Sequence, residues 1–369
     1  MKKIPIVKKI NLYSNSIFVK KKNDIEISNF PQKNHINKIL IIKWGGMGDL
    51  IQSSFAINSI LNSFSKAKID LNTSFSWKQF FQNEKRLNCI WSIKFTRGFS
   101  KIICSLKWIS RVRKENYDLI IDLQTNDRSR IYLTILKFFF RIPKISIGNH
   151  SLFPYSLRYK NGERTKSPLF LYQRTLTKIG ILSFDLKPII NIPSSSKNKI
   201  KKILIKNQIK EKNIIIFIPG CSRNNKLKRW GIDNFSNLAK LYRTTNSKII
   251  LVGGQDDIKE CELIHKSDKN ILNLCNKLDL VDLIPLFSSA SLIIANDTGP
   301  THLAACTNTP TYQISGPTNP FNVKPFGSNI FSIQADIECK NCYQKKCSHH
   351  SCMKAVTPNF IFKLSSKNL

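Results

Sequence analysis

Acid is scarce in this chain beside base. It carries 59 Lys and Arg against 23 Asp and Glu, a formal charge of +36. So lopsided a balance points to negatively charged partners: nucleotides, anionic lipid headgroups or nucleic acid. The Lys, Asn and Ile are spread over the whole length, as a bias in base composition would also spread them, so charge by itself selects none of these partners. No segment reads as a recognition helix or an RNA-binding aromatic consensus, which removes the specific nucleic-acid modules. No apolar run is long enough to span a bilayer. The opening MKKIPIVKKINLYSNS has lysines but no continuous apolar core and no small-residue cleavage site, so it does not read as a signal peptide. A cytoplasmic location is therefore expected, with the ten cysteines mostly reduced. The dinucleotide fingerprint G-x-G-x-x-G is absent as well.

What is present fits two α/β domains. At 369 residues the chain is long for one core, and 41% hydrophobic content excludes wholesale disorder. Residues 1–37 read as an N-terminal extension of short β-prone pieces, either an edge hairpin or an arm. Residues 38–184 form a first domain, and Asp185–Ser196, with two prolines and a serine run, is the linker. Residues 197–338 form a second domain, and 339–369 a Cys-rich segment ending in a helix that starts at Pro358.

In the first domain the strand Lys38–Lys43 runs into Trp44-Gly45-Gly46-Met47-Gly48-Asp49 and then a helical pattern. Strand, glycine-rich turn and helix open a nucleotide-type α/β domain. The glycines are expected to supply φ > 0 and close approach. Asp49 then sits at a helix start, as a cap or as a functional carboxylate. Ala67–Asn72 and Asp118–Leu123 are further strands, and the helix 130–140 ends in a Phe138-Phe139-Phe140 run expected to pack on the sheet. The alternative for that run is a membrane surface, aided by Lys137 and Arg141. Residues 150–168 read as a basic loop.

In the second domain Ile214–Ile218 is a strand opening into Pro219-Gly220-Cys221-Ser222 and a cationic stretch to Arg229, suited to cradle a diphosphate. Lys248–Val252 ends near Asp256 and Asp257, either of which takes ribose hydroxyls or caps the next helix. The segment Ser291–Ala305, SLIIANDTGPTHLAA, is a buried strand that stops on Asp297-Thr298-Gly299 and turns into a helix with Pro300 in its first turn. Its free N–H groups make a seat for phosphate, unless Asp297 or Thr298 merely caps the helix. Thr311–Ile314 reads as the last strand.

Taken together, KILIIKWGGMGDLIQSSFAINSI, YDLIIDLQTNDRSR, IFIPGCSRNNKLKRWGIDNFSNLAKLY, IILVGG and NDTGPTHLAACTNTPTYQISGPTNP resemble the ADP-heptose:lipopolysaccharide heptosyltransferases of glycosyltransferase family nine, in family order over residues 38–320. The resemblance implies a GT-B architecture: two Rossmann-like parallel-sheet domains facing across a cleft, the second holding the donor. It implies inverting, metal-independent transfer of a heptose or related sugar from an ADP-sugar to a lipopolysaccharide core or similar lipid-linked acceptor. By position it makes Asp49 the general base, with Gly45, Gly46 and Gly48 on the acceptor side. It makes Lys228 the diphosphate lysine, with Lys226 as rival. Asp297, Thr298, Gly299 and His302 become donor-binding residues, joined by Ser222, and Asp257 a weaker match to the ribose acid. Its implied partners are the nucleotide-sugar donor, an anionic lipid-linked glycan and the cytoplasmic face of the inner membrane, with no nucleic acid. Trp44 departs from the pattern, standing where a small or apolar residue is expected.

Cys339, Cys342, Cys347 and Cys352, spaced C-x2-C-x4-C-x4-C, could hold structural zinc or an iron–sulfur cluster. Reduced packing thiols or disulfides are the other readings, and no cofactor is expected for catalysis. Two other functions stay open: a different GT-B nucleotide-sugar enzyme, and a non-enzymatic binder of nucleic acid or anionic surfaces.

Overall fold

The computed structural model describes residues 7–13, 35–93, 99–148, 153–156, 168–182, 188–211 and 213–369. Most of the loop expected at 150–168 lies outside these residues, as do the β-prone pieces Ser16–Lys20 and Ile25–Ile27. The chain divides into two units, one of Phe18–Asn191 and one of Met1–Ile17 with Ile192–Leu369.

The first strand, β1 (Val7–Tyr13), belongs to the second unit. The first unit then runs β2 (Lys38–Lys43), α1 (Met47–Ser63), β3 (Lys68–Ser74), β4 (Cys89–Ile93), α2 (Phe99–Glu115), β5 (Leu119–Asp122), α3 (Asp127–Phe140), β6 (Ile145–Gly148) and α4 (Pro168–Lys178). Its five strands are all parallel, in the order β4-β3-β2-β5-β6. In the centre, β2 buries Ile39 to Lys43 without a break, because helices cover both faces of a parallel sheet and leave no solvent side for alternation. The order reverses between β2 and β5. The chain moves outward from β2 through β3 to β4, then returns to the other side of β2.

The second unit runs α5 (Ser194–Lys206), β7 (Ile214–Ile218), α6 (Ile232–Tyr242), β8 (Lys248–Leu251), α7 (Ile258–Ser267), β9 (Leu272–Asn273), α8 (Leu283–Ser289), β10 (Leu292–Asn296), α9 (Gly299–Ala304), β11 (Thr311–Ile314), α10 (Pro320–Val323), β12 (Ile330–Ile337), α11 (Ser351–Lys354) and α12 (Pro358–Ser365). Its sheet has the order β1-β12-β11-β10-β7-β8-β9, parallel except for the β1–β12 pair. Here the reversal falls between β7 and β10.

Several expectations change. Thr311–Ile314 is not the last strand: β12 follows it, and β1 closes that edge antiparallel. Val7–Tyr13 is thus part of a sheet rather than an edge hairpin of its own or a free arm. The serine run of the expected linker is helical, with Ser194–Ser196 opening α5. β4, β9 and α2 carry no sequence pattern strong enough to mark them. The Phe138–Phe140 run does not pack on the sheet. Tyr132, Leu133 and Leu136 take the inward face of α3, and three consecutive helical residues point in directions about 100° apart. Phe138 and Phe139 are left 72% and 69% exposed.

Trp44, the unexpected residue at the end of β2, has a structural reason. Its ring is buried and meets Trp108 edge-on at 6.0 Å. Its Nε1–H and that of Trp108 both donate to Asn72 Oδ1 at 2.7 Å, while Asn72 Nδ2 donates to the Trp91 carbonyl at 3.2 Å. One buried amide on β3 thereby satisfies two indoles. Replacing it by Asn72→Leu would strand both N–H groups, and we expect a loss of about 2–4 kcal/mol in urea unfolding followed by tryptophan fluorescence. A midpoint unchanged from wild type would show that the indoles find other partners.

Candidate active site

In open α/β sheets the loops at the carboxyl ends of the strands splay apart where strand order reverses, and ligands bind there. The first unit has this crevice between β2 and β5. The turn after β2 carries Asp49 in the first turn of α1, exposed, with Gly46 as N-cap. The turn after β5 carries Gln124 and Thr125. Gln124 Oε1 accepts from Trp44 N at 3.0 Å, which ties the two turns together. Gly45 fits between them: an added Cβ would lie 3.1 Å from Gln124 Oε1 and 3.3 Å from Asp49 Oδ2. Positive φ is not the reason for glycine at 45, 46 or 48, contrary to the expectation; among the described glycines only Gly180 and Gly231 have it.

Below Asp49 lies a cavity of about 200 Å³ lined by Lys43, Asp49, Gln124, Thr125, Tyr172 and neighbours on α4. Lys43, the last residue of β2, is buried there. Its Nζ donates to the Leu123 carbonyl at 3.2 Å and lies 5.3 Å from the centre of the Tyr172 ring. Burial works to lower its pKa, but Tyr172, Asp49 and Asp122 together outweigh burial and hold the ammonium above the ordinary lysine range. Tyr172 donates to the Asp49 carbonyl at 3.2 Å, so α4 braces the turn that carries the carboxylate. Asp122 at the end of β5 accepts from the Gln124 and Thr125 amides at 2.9 Å and from Tyr155 at 2.6 Å. Its burial nonetheless pushes its pKa up. The sequence reading singled out neither Lys43 nor Tyr172. The one available signal was a lysine closing an otherwise apolar strand directly before the turn.

The second unit has its crevice between β7 and β10, and the predicted donor residues meet there. Lys228 Nζ pairs with Asp297 Oδ2 at 2.7 Å, and Thr318 from the turn after β11 donates to the same oxygen at 2.6 Å. Lys226 is exposed, so the pairing favours Lys228 over its rival. Asp297 therefore does not cap α9, and Thr298, its N-cap, makes no side-chain cap bond. That helix has six residues, so the local N–H groups matter more than a macrodipole. His302 lies on it, buried, and Gly299 opens it. Asn296 ties β10 to the loop after β7 from beneath, donating to the Pro219 carbonyl at 2.6 Å and accepting from Trp230 N at 3.1 Å. Ser222 is exposed at the rim and accepts from Asn225 at 2.8 Å.

Asp257 sits differently from its expected role. Its oxygens accept from Cys221 N at 3.1 Å, Gly254 N at 2.9 Å and Arg229 at 2.9 Å. An added Cβ on Gly220 would come within 2.0 Å of its carboxyl carbon. This carboxylate is a strut between the turns after β7 and β8. Asp256 is the more exposed of the pair and bonds Arg223 at 2.6 Å.

The Cys-rich segment joins the same neighbourhood. His350 Nε2 donates to the Leu227 carbonyl at 2.7 Å, and Trp230 Nε1 to the Val356 carbonyl at 2.7 Å, so this segment props the loop bearing Lys228. Cys339, Cys342, Cys347 and Cys352 are free thiols. Among the described residues no group of three or more His, Cys, Asp or Glu is arranged to hold a metal ion.

A sequence profile described as Glycosyltransferase family 9 (heptosyltransferase) matches residues 105–353. The chain belongs to that family. This glycosyltransferase is 26% identical, over 88% of its length and 95% of the relative's, to Lipooligosaccharide heptosyltransferase 2 of Campylobacter jejuni. Its fold is that of a family nine glycosyl transferase from Veillonella parvula, with TM-score 0.77, 16% identity, and 90% and 97% of the two chains covered. It also resembles Escherichia coli heptosyltransferase WaaC with ADP-2-deoxy-2-fluoro heptose, with TM-score 0.64, 15% identity, and 90% and 100% covered. The two parallel-sheet units of the transferase are thus those of the GT-B class.

Lys324, just beyond α10, adds a measurable feature to the transferase. It is buried, and burial pushes its pKa down to about 8. Between that value and the ordinary 10.5, the unfolded chain binds a proton that the folded chain does not. Folded stability from this group therefore rises with pH across the window. Lys324→Met should cancel the rise, narrowing the difference in unfolding free energy between pH 8 and pH 10.5 by about 1–3 kcal/mol in urea titrations. An unchanged difference would show that Lys324 keeps its proton in the folded state.

Proposed function

We propose that this transferase moves a heptose or a closely related sugar from an ADP-sugar to a lipid-linked, anionic glycan of the lipopolysaccharide-core type, with inversion and without a catalytic metal. The observation that carries the reading is that each sheet places a charged group at its own point of strand-order reversal: Asp49 in the first unit, the Lys228–Asp297 pair in the second. The relatives' names and the nucleotide-sugar bound to WaaC support the choice of sugar and nucleotide.

An acceptor hydroxyl is a weak nucleophile. As its oxygen bonds to the anomeric carbon, Asp49 accepts the hydroxyl proton, and the bond between that carbon and the diphosphate oxygen breaks. ADP departs carrying the electron pair. An ammonium has three donors, and Asp297 occupies one of those on Lys228, which leaves the others for the diphosphate. Thr298, the Gly299 N–H and His302 line the same seat. Asp257 we assign to holding the two turns rather than to the ribose. The same reading puts the enzyme at the cytoplasmic face of the inner membrane, where a lipid-anchored acceptor is met from the water side.

Asp49→Asn is expected to lower kcat by about 10²–10⁴-fold with ADP affinity unchanged. Lys228→Ala is expected to weaken ADP binding about tenfold or more by calorimetry, because removing one member of a buried pair also strands Asp297. Full turnover by Asp49→Asn would remove it as the base. Thermal stabilisation by UDP- or GDP-sugars, but not by ADP-sugars, would move the protein to another GT-B activity.

A further inference from the structure

We propose that the outer face of the α2–α3 layer in the first unit is the surface by which this enzyme rests on an anionic lipid bilayer. The proposal rests on the lipid-linked acceptor argued above and names the surface that reading requires.

Ser105 meets Tyr132 and Arg113 meets Phe140 at the same sequence offset, so α2 and α3 run parallel, side by side. Both bury one face: Trp108, Ile109 and Val112 from α2, and Tyr132, Leu133 and Leu136 from α3. Their other faces keep large apolar side chains in solvent. Leu106 is 60% and Ile102 55% exposed on α2, one helical turn apart. Ile131 and Phe138 share a stripe on α3, and Phe139 stands beside Phe138 with ring centres 5.1 Å apart. Scattered exposed apolar residues are ordinary; a cluster of this size on two adjacent helices is not.

Charge decides what the cluster meets. Lys107, Arg113, Lys114 and Arg141 are exposed on the same two helices or at their ends. The guanidinium of Arg113 lies 4.6 Å from the centre of the Phe140 ring, a cation set against an aromatic face. The two helices carry only two acids, and both are already neutralised: Glu115 by Lys38 at 2.5 Å and Asp127 by Arg130 at 3.3 Å. Apolar side chains ringed by a surplus of cations suit the boundary of acyl chains and anionic headgroups, where burial and Coulomb attraction add. Among the described residues no helix is long and apolar enough to cross a membrane, so contact of this kind is interfacial. The position serves the chemistry too. α3 leaves β5 at the edge that carries Gln124 and Thr125, so its N-terminal end and that of α2 lie on the side of the cavity under Asp49.

The test is co-sedimentation of the full chain with vesicles of phosphatidylglycerol and phosphatidylethanolamine, and with vesicles of phosphatidylcholine. Wild type should bind the anionic vesicles, release them as salt is raised, and ignore the neutral ones. Phe138→Ser/Phe139→Ser and Lys107→Glu/Lys114→Glu should each weaken vesicle binding about tenfold or more, with ADP affinity by calorimetry unchanged as evidence of an intact fold. Both variants should turn over a delipidated acceptor at the wild-type rate and lose rate only on acceptor embedded in vesicles. Binding equal to wild type by either variant would overturn the proposal. So would a change in solution mass with unchanged vesicle binding, which would make the face a contact between copies of this chain. If wild type binds anionic vesicles as described but transfers no sugar to any acceptor, the enzymatic reading fails while the surface stands.

Discussion

In the gap where the second sheet changes direction, the Lys228 ammonium and the Asp297 carboxylate hold each other at 2.7 Å. Much of that unit can be understood as keeping these groups in register. β10 delivers Asp297, β7 and its loop deliver Lys228, and Asn296 stitches the two turns from below. Asp257 and Arg229 brace the loop on the β8 side, and Thr318 supports Asp297 from β11. The Cys-rich segment props the same loop through His350 and Val356. A buried ion pair of this kind adds little net stability, but losing either partner is costly. In the proposed reaction its use is to keep a cation oriented for the diphosphate.

The first unit solves a different problem with a similar layout. Asp49 sits exposed on a turn while rigidity comes from beneath. Tyr172 bonds the backbone of Asp49, Gln124 bonds the backbone of Trp44, and Asn72 locks the indoles behind them. Lys43 adds a buried positive charge under the cavity, sustained by the groups that surround it. The first unit therefore presents an exposed carboxylate on a braced turn, and the second a cation on a braced loop.

Both units leave their chemistry on loops at the carboxyl edge and assign other surfaces to packing. The α2–α3 layer is the exception. Its inward residues complete the core of the first unit, while its outward residues spend large apolar side chains on solvent. If the acceptor is lipid-linked as proposed, such a face has a physical use, because binding to a bilayer would replace a search in three dimensions by one in two.

The alternation of apolar strands with turns and helices determined the parallel sheets, since runs such as KILIIK and IIIFI can be buried only with helices on both sides. Local sequence also placed Asp49, Lys228 and Asp297 in the segments that follow the carboxyl ends of strands. It could not decide among rivals. Lys226 and Lys228 differ by two positions in a loop, and only the fold shows which one reaches Asp297. Asp257 lies within three residues of Gly254 in the chain, yet its other partners, Cys221 and Arg229, are distant in sequence. Val7–Tyr13 carries no local mark of the sheet that it joins; its partner, β12, lies at the other end of the chain. The Phe138–Phe140 run was legible as apolar, but exposure is a property of what stands opposite. A sequence specifies which side chains avoid water, and only the assembled layers decide which of them find somewhere to go.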